Sequence, residues 1–138
     1  MRATDRIKRK RLLVVGLVIP IALFHFFTGS NYRGPYPVFV NGYLLDILVP
    51  FALYFLLCVK EFSLLRYWFI KSILVFTVGA SVEVAQFYGA PIFGRTFDPV
   101  DFLMYGLGVI FAAFLDVIAF PRIFKFWTLK AVESTQSI

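Results

Sequence analysis

The sequence predicts an all-α integral membrane protein, a four-transmembrane-helix bundle with both termini in the cytoplasm. Two observations predict this fold class: four apolar stretches have the length of a spanning helix, and the basic residues lie on one side of them. Of 138 residues, 60% are hydrophobic and 16% are charged, and the mean hydropathy is +0.82. Soluble domains contain only about 45–50% apolar residues, so most of this chain is expected to meet lipid. This composition excludes a secreted disulfide scaffold and a disordered tail.

The four predicted spans are separated by short polar or Gly/Pro-rich segments. They cover residues 12–28, 38–59, 67–88 and 99–120. Each is close to the ~20 residues that cross a hydrocarbon core of ~30 Å. The predicted organisation is a basic N-terminal segment over 1–11, a membrane domain over 12–120 and a tail over 121–138. No small-residue cleavage motif follows the first span, so we expect it to stay in the chain as an anchor.

The distribution of basic residues predicts the orientation. Twelve of the fourteen Lys and Arg residues fall before the first span, around the turn between the second and third, or after the fourth. Because cytoplasmic loops are enriched in Lys and Arg, both termini are expected in the cytoplasm. This pattern accounts for the net charge of +6 without a nucleic-acid partner. The single cysteine, Cys58, excludes an intrachain disulfide and a cysteine metal cluster.

Polar residues within the spans gather at the ends predicted to face outward. The second span carries Asp46, and the third carries two polar residues in its last two turns. One acid lies at the boundary of the fourth span and another in its first turn. An acid at the centre of a spanning helix costs about 2.5–3.5 kcal/mol, so these acids are expected to face water or a protein interior. They indicate one outward-facing polar cavity. Its candidate ligand-binding residues are Asp46, Glu83, Gln86, Arg95, Asp98, Asp101 and Tyr105.

Most of these candidates also have a structural interpretation. Asp98, followed by proline, is typical of a helix N-cap, and Asp101 suits the positive end of the same helix. Asp46 is suited to joining helices by hydrogen bonds. Arg95 is either the counter-ion of the acids or an interfacial arginine that meets lipid phosphate. Glu83 has no capping role inside its helix and is therefore the strongest candidate.

Asp116 lies at the other end of the fourth span. It follows Asp101 by fifteen residues, which is ~22 Å along a helix. We therefore expect Asp116 to pair with the basic turn between the second and third spans.

The motifs around the third and fourth spans resemble a known family. They are E-V-A-Q at 83–86, G-R-T-F-D-P-V-D at 94–101 and G-L-G at 106–108. This series is similar to that of the VanZ-like membrane proteins, in which E-x-x-Q, a loop arginine and D-x-x-D precede a glycine-containing helix. The segment from Asp46 to Phe51 resembles the family's D-K-x-x-H-F, with Ile47 in place of the lysine and Pro50 in place of the histidine. The resemblance covers residues 41–115.

The resemblance implies a bacterial, multi-pass protein of the inner (plasma) membrane whose named polar residues form the family's site. VanZ itself is associated with resistance to the glycopeptide antibiotic teicoplanin, whereas most relatives have no assigned biochemical activity. The family commonly has asparagine shortly after the second aspartate, where this chain has Tyr105. A role in antibiotic resistance is thus an expectation that comes from the resemblance alone.

Three hypotheses about function follow. The first is a cell-envelope binding protein whose cavity holds a cation or an envelope ligand, such as a cell-wall or lipid-linked precursor, with no cofactor unless a divalent cation takes part. The second is a metal-dependent enzyme on a lipid-phosphate substrate, with Glu83 or Asp101 as general base and Arg95 stabilising developing charge. The third is a small transporter. A bundle in which the acids only fix helix packing is the structural alternative, and the oligomeric state stays open.

Overall fold

Four long helices account for most of the computed structural model, which describes residues 3–28, 31–60, 62–92 and 97–127. They are α1 (Ala3–Thr28), α2 (Pro37–Val59), α3 (Trp68–Phe87) and α4 (Pro99–Ile123). A short 3₁₀ turn at Leu64–Arg66 lies between α2 and α3. The described ranges contain no β-strand. The predicted all-α, four-helix fold class is therefore confirmed.

Each of the four helices is long and apolar enough to cross a membrane. Large apolar side chains are exposed along them, for example Leu12, Phe26 and Leu103, as expected for helices that face lipid. The bounds agree with the predicted spans within a few residues, except at two ends. From Ala3 onward, the predicted basic segment is part of the same helix as the first span, and α4 continues to Ile123. The chain is a multi-pass membrane protein.

The helices pack around the contact between α2 and α4, which is the most extensive in the bundle. The α1 helix packs against α2, and α3 packs mainly against α4. Gly108 permits the close approach of α2 and α4, because a Cβ atom there would overlap the carbonyl oxygen of Ile47. The core beside this crossing contains Val14, Phe51, Tyr54, Phe55, Cys58, Val75, Val109, Ala112, Phe120 and Trp127.

Two of the helices contain a π-helical turn, in which the backbone accommodates one extra residue. The turn in α2 covers Val40–Leu44, and the turn in α4 covers Leu115–Ala119. Such turns occur often at functional sites. Here the first contains Tyr43 and directly precedes the turn of Asp46, while the second contains Asp116. Both irregular turns therefore lie where the helices carry polar side chains.

A buried polar network, which we call the Asp116 network, lies at the end of the bundle near Ala3 and Ile123. The Oδ2 atom of Asp116 accepts hydrogen bonds from Nζ of Lys71 and, at 2.8 Å, from the hydroxyl of Tyr54. Its Oδ1 atom accepts a third at 2.8 Å from Nε1 of Trp127. Lys71, which is 4% exposed, forms an ion pair with Asp116 and donates to Sγ of Cys58 at 3.2 Å. The predicted pairing of Asp116 is confirmed, with Lys71 as its partner.

The Asp116 network connects all four helices. Tyr54 belongs to α2, Lys71 to α3 and Asp116 to α4. The α1 helix joins through Lys10, whose Nζ lies 4.8 Å from the centre of the Trp127 ring. Because both oxygens of the buried carboxylate have donors, the network is stabilised by its own hydrogen bonds, and we assign it a structural role.

Candidate functional site

The opposite end of the bundle holds an acidic cluster, defined as Asp46, Glu83, Asp98 and Asp101. The α2 helix contributes Asp46, α3 contributes Glu83, Asp98 is the N-cap of α4, and Asp101 lies in the first turn of α4. Asp46 and Asp101 interact electrostatically with each other, and each also interacts with Glu83 and Asp98. The structure thus brings together the four acids predicted to converge, and it draws them from two helices and from the start of a third.

Glu83 is the most deeply buried member of the acidic cluster, with 1% of its surface exposed. The hydroxyl of Tyr105 donates a hydrogen bond to its Oε1 atom over 2.9 Å. Its Oε2 atom has no hydrogen-bond partner among the described residues. A buried acceptor without a donor costs about 1–3 kcal/mol of stability. The surroundings of Glu83 therefore provide a hydrogen-bond donor for only one of its two carboxyl oxygens.

Gly79 provides the space for the ring of Tyr105. It lies one helical turn before Glu83 on α3, and a Cβ atom at this position would lie 2.9 Å from Cδ2 of Tyr105. Without that Cβ, the ring packs directly on the α3 backbone, and its hydroxyl reaches the carboxylate one turn further along. The sequence indicated Tyr105 as a candidate residue but did not show that it packs on Gly79.

Asp98 caps α4, as its position before Pro99 predicted. Its Oδ1 atom accepts a hydrogen bond from the backbone nitrogen of Val100 at 2.9 Å. The hydroxyl of Tyr43 donates to its Oδ2 atom at 3.4 Å, which ties the π turn of α2 to the start of α4. Sequence reasoning missed Tyr43. Tyr43 lies three residues before Asp46, but it belongs to the π turn, and the sequence pattern does not show which carboxylate its hydroxyl meets.

The two polar atoms of the Gln86 side chain, near the end of α3, differ in their hydrogen bonding. Its Nε2 atom donates to the carbonyl oxygen of Ile92 at 2.7 Å and so fixes the segment that follows the helix. Its Oε1 atom is buried and has no partner among the described residues. Together with Oε2 of Glu83, this leaves two unpartnered acceptor atoms on residues three positions apart, which share one helical face.

The acidic cluster has no cationic partner within the described ranges: none of its four carboxylates forms an ion pair there with Lys, Arg or His. Arg95, for which the sequence allowed either a counter-ion role or a contact with lipid phosphate, lies outside the described residues. In the same ranges, no group of three or more His, Cys, Asp or Glu side chains is placed to hold a metal ion. The site therefore offers negative charge and hydrogen-bond acceptors, without a ready-made metal cage.

These features define the class of protein: a four-helix, multi-pass membrane protein with an acidic cluster between three helices at one end. Comparison of the chain with known protein families, curated proteins and solved structures finds no match. The resemblance to VanZ-like proteins consequently stays a prediction that rests on the motifs at 83–86 and 94–101.

Proposed function

We propose that this chain is a binding protein of the cell envelope, held in the plasma membrane, whose acidic cluster receives an envelope ligand. One observation carries the proposal. Glu83 is almost completely buried, yet one of its oxygens has no partner among the described residues while carboxylates from two other helices face it. A ligand that entered the cluster and supplied a donor would complete this half-satisfied site.

The contrast between the two ends of the bundle supports binding over a purely structural role. At one end, Asp116 has three hydrogen-bond donors, one of which is the buried Lys71 that is also its counter-ion. At the other end, Glu83 has one donor and acidic neighbours. The fold thus provides donors for both carboxyl oxygens of Asp116 but for only one carboxyl oxygen of Glu83. Intramembrane acids that are kept at a cost are typical of functional sites.

The position of the apolar core supports binding over transport. Asp46 and Tyr54 belong to different clusters and are eight residues apart, which is ~12 Å along α2. The side chains of Phe51, Phe55 and Val109 pack in an apolar core that includes Tyr54 of the Asp116 network and no member of the acidic cluster. In a single chain, this apolar core favours a binding site that opens at one end of the bundle over a continuous path for transport.

Isosteric neutral variants test the proposal. We expect Glu83→Gln and Asp101→Asn to unfold at the same temperature as the wild type or above it, because each removes repulsion between acids and adds an amide donor. Asp5→Asn is the matched control, because Asp5 is an exposed acid in the first turn of α1 and does not belong to the acidic cluster. This change should leave the unfolding midpoint unchanged. If both variants in the acidic cluster instead lose several degrees, the acids hold the helices together and the proposal is wrong.

The resemblance extends the proposal to drug susceptibility, because VanZ itself is associated with teicoplanin resistance. Replacing the chromosomal copy by Glu83→Gln should change the lowest teicoplanin concentration that stops growth of the host, whereas Asp5→Asn should not. Unchanged susceptibility in the Glu83→Gln strain would remove glycopeptides from the proposal.

A further inference from the structure

We infer that the group held by the acidic cluster is an organic cation with N–H donors, a primary ammonium, that binds Oε2 of Glu83 and Oε1 of Gln86. This inference rests on the proposed function and names the chemistry of its ligand. It starts from the two acceptor atoms that the described residues leave buried and unpartnered.

Both unpartnered oxygens require a donor from outside, because the other polar atom of each side chain already forms a hydrogen bond. Tyr105 donates to Oε1 of Glu83, and Nε2 of Gln86 donates to the carbonyl of Ile92. Carboxylate and amide oxygens accept hydrogen bonds and donate none. A ligand that offered only acceptors, such as a phosphate or a carboxylate, would therefore leave both atoms unsatisfied.

The charge of the surroundings selects a cation. Asp46, Asp98 and Asp101 interact electrostatically with one another, and none forms an ion pair with a described cation. An anionic ligand would be repelled, whereas a cation gains attraction from several carboxylates. Hydrogen bonds between a charged donor and a carboxylate are also stronger than those between neutral groups.

The set of side chains around the two acceptors favours an organic cation over a bare metal ion. Within the described ranges, no group of three or more His, Cys, Asp or Glu side chains is placed to hold a metal ion. Glu83 and Gln86 share one face of α3. A primary ammonium carries three N–H donors, so it is able to donate to both acceptors at once.

The position in the bundle indicates where such a cation comes from. Asp98 directly precedes α4, and Gln86 lies one residue before the end of α3, so the cluster lies at the ends of two spanning helices. Lipid headgroups lie at this level of a membrane. The cation is therefore either the ammonium of an aminophospholipid headgroup or that of a soluble amine, and both have the same chemistry.

Lipids and amines that differ only in their N–H donors test the inference. The full chain is placed in nanodiscs of phosphatidylethanolamine or phosphatidylcholine, whose headgroups carry the same charges but differ in N–H content. Ethanolamine, choline or Mg²⁺ is then added to the phosphatidylcholine discs. The readout is the unfolding midpoint, followed by tryptophan fluorescence, since a ligand that binds only the folded state raises it.

We expect phosphatidylethanolamine discs, added ethanolamine or both to raise the midpoint by several degrees, with choline without effect. A response to the discs alone assigns the cation to a lipid headgroup, and a response to ethanolamine alone assigns it to a soluble amine. The rise should disappear in Glu83→Gln and persist in Asp5→Asn. Each variant is compared only with itself, with and without the probe, so a change in its basal stability does not affect the result.

Three outcomes overturn the inference. They are equal effects of choline and ethanolamine, a rise with Mg²⁺ alone, and no effect of any probe. None of them decides the proposed function, which depends on the stability of Glu83→Gln and Asp101→Asn without any ligand. If the neutral variants are stable and no amine raises the midpoint, the acidic cluster binds a different ligand. If the neutral variants are destabilised, the proposed binding site itself is wrong.

Discussion

The hydroxyl of Tyr105 crosses the interface between α4 and α3 to donate a hydrogen bond to Glu83 over 2.9 Å. Tyr105 is itself buried, and it packs against Gly79, one turn before the acid that it holds. This contact fixes the orientation of the Glu83 carboxyl, so that Oε1 is bonded and Oε2 is free for another partner.

Removal of that hydroxyl should destabilise the protein. Tyr105→Phe keeps the ring on Gly79 but leaves Oε1 of Glu83 without its donor, and we expect a loss of about 1–3 kcal/mol in the free energy of unfolding. Tyr88→Phe, at an exposed tyrosine near the end of α3, is the control and should have no effect. Chemical unfolding of the purified protein measures both. Equal stability of the two variants would contradict the importance of this bond.

A methyl group at Gly79 should displace the Tyr105 ring. A Cβ there would lie 2.9 Å from the ring, so we expect Gly79→Ala to cost about 1–3 kcal/mol of stability through overpacking. Gly106→Ala is the matched control, because the nearest atom to its added Cβ lies 3.9 Å away. Because position 106 lies within a helix, alanine there should leave the free energy of unfolding unchanged or raise it by up to about 1 kcal/mol. The prediction is wrong if both alanines behave alike in thermal unfolding.

A methyl group at Gly108 should be more damaging still. It would overlap the backbone carbonyl of Ile47, and backbone yields less readily than the edge of a ring. We therefore expect Gly108→Ala to lower the unfolding midpoint more than Gly79→Ala does, because α2 and α4 must move apart. Gly16→Ala, with no atom within 4 Å of its added Cβ, controls for the effect of alanine in a helix. A midpoint for Gly108→Ala near that of the control would contradict the close helix contact.

The Asp116 network should show strong coupling between its charged members. Lys71→Met leaves Asp116 with two neutral donors, whereas Asp116→Leu leaves a buried ammonium without its carboxylate. Breaking a buried pair typically costs about 3–5 kcal/mol, and we expect Asp116→Leu to cost more than Lys71→Met. The double variant should cost less than the sum of the two singles, because it leaves no unpaired charge. Additive losses in a double-mutant cycle would show that the two residues act independently.

The spans and the meeting of the acids were predictable from the sequence. The length of each apolar stretch sets the number of helices, and the helical repeat places Asp46, Glu83 and Asp101 at one end. The cost of an acid in lipid then requires these side chains to face the protein interior or water. The same reasoning gave Asp116 a basic partner, and Lys71 confirms it.

Other parts of both clusters were not predictable, because they depend on tertiary contacts between helices. Tyr43, Tyr54 and Trp127 are aromatic residues in an aromatic-rich chain, and the sequence pattern does not show which hydroxyl or indole meets a carboxylate. The role of Gly79 depends on which ring packs on it. A regular helical repeat does not locate the π turns either, because each interrupts the repeat with one extra residue.

The π turn at Val40–Leu44 has a consequence for tracing the ancestry of this chain. One residue corresponds to about 100° of rotation in a regular helix, so the extra residue offsets the start of α2 from the remainder that carries Asp46. A homologue with an uninterrupted α-helix would reach the same arrangement with one residue fewer. Alignments that count fixed spacings across this segment would then misplace either Asp46 or the loop before it. Searches that allow a single-residue gap between positions 40 and 44 should recover such homologues.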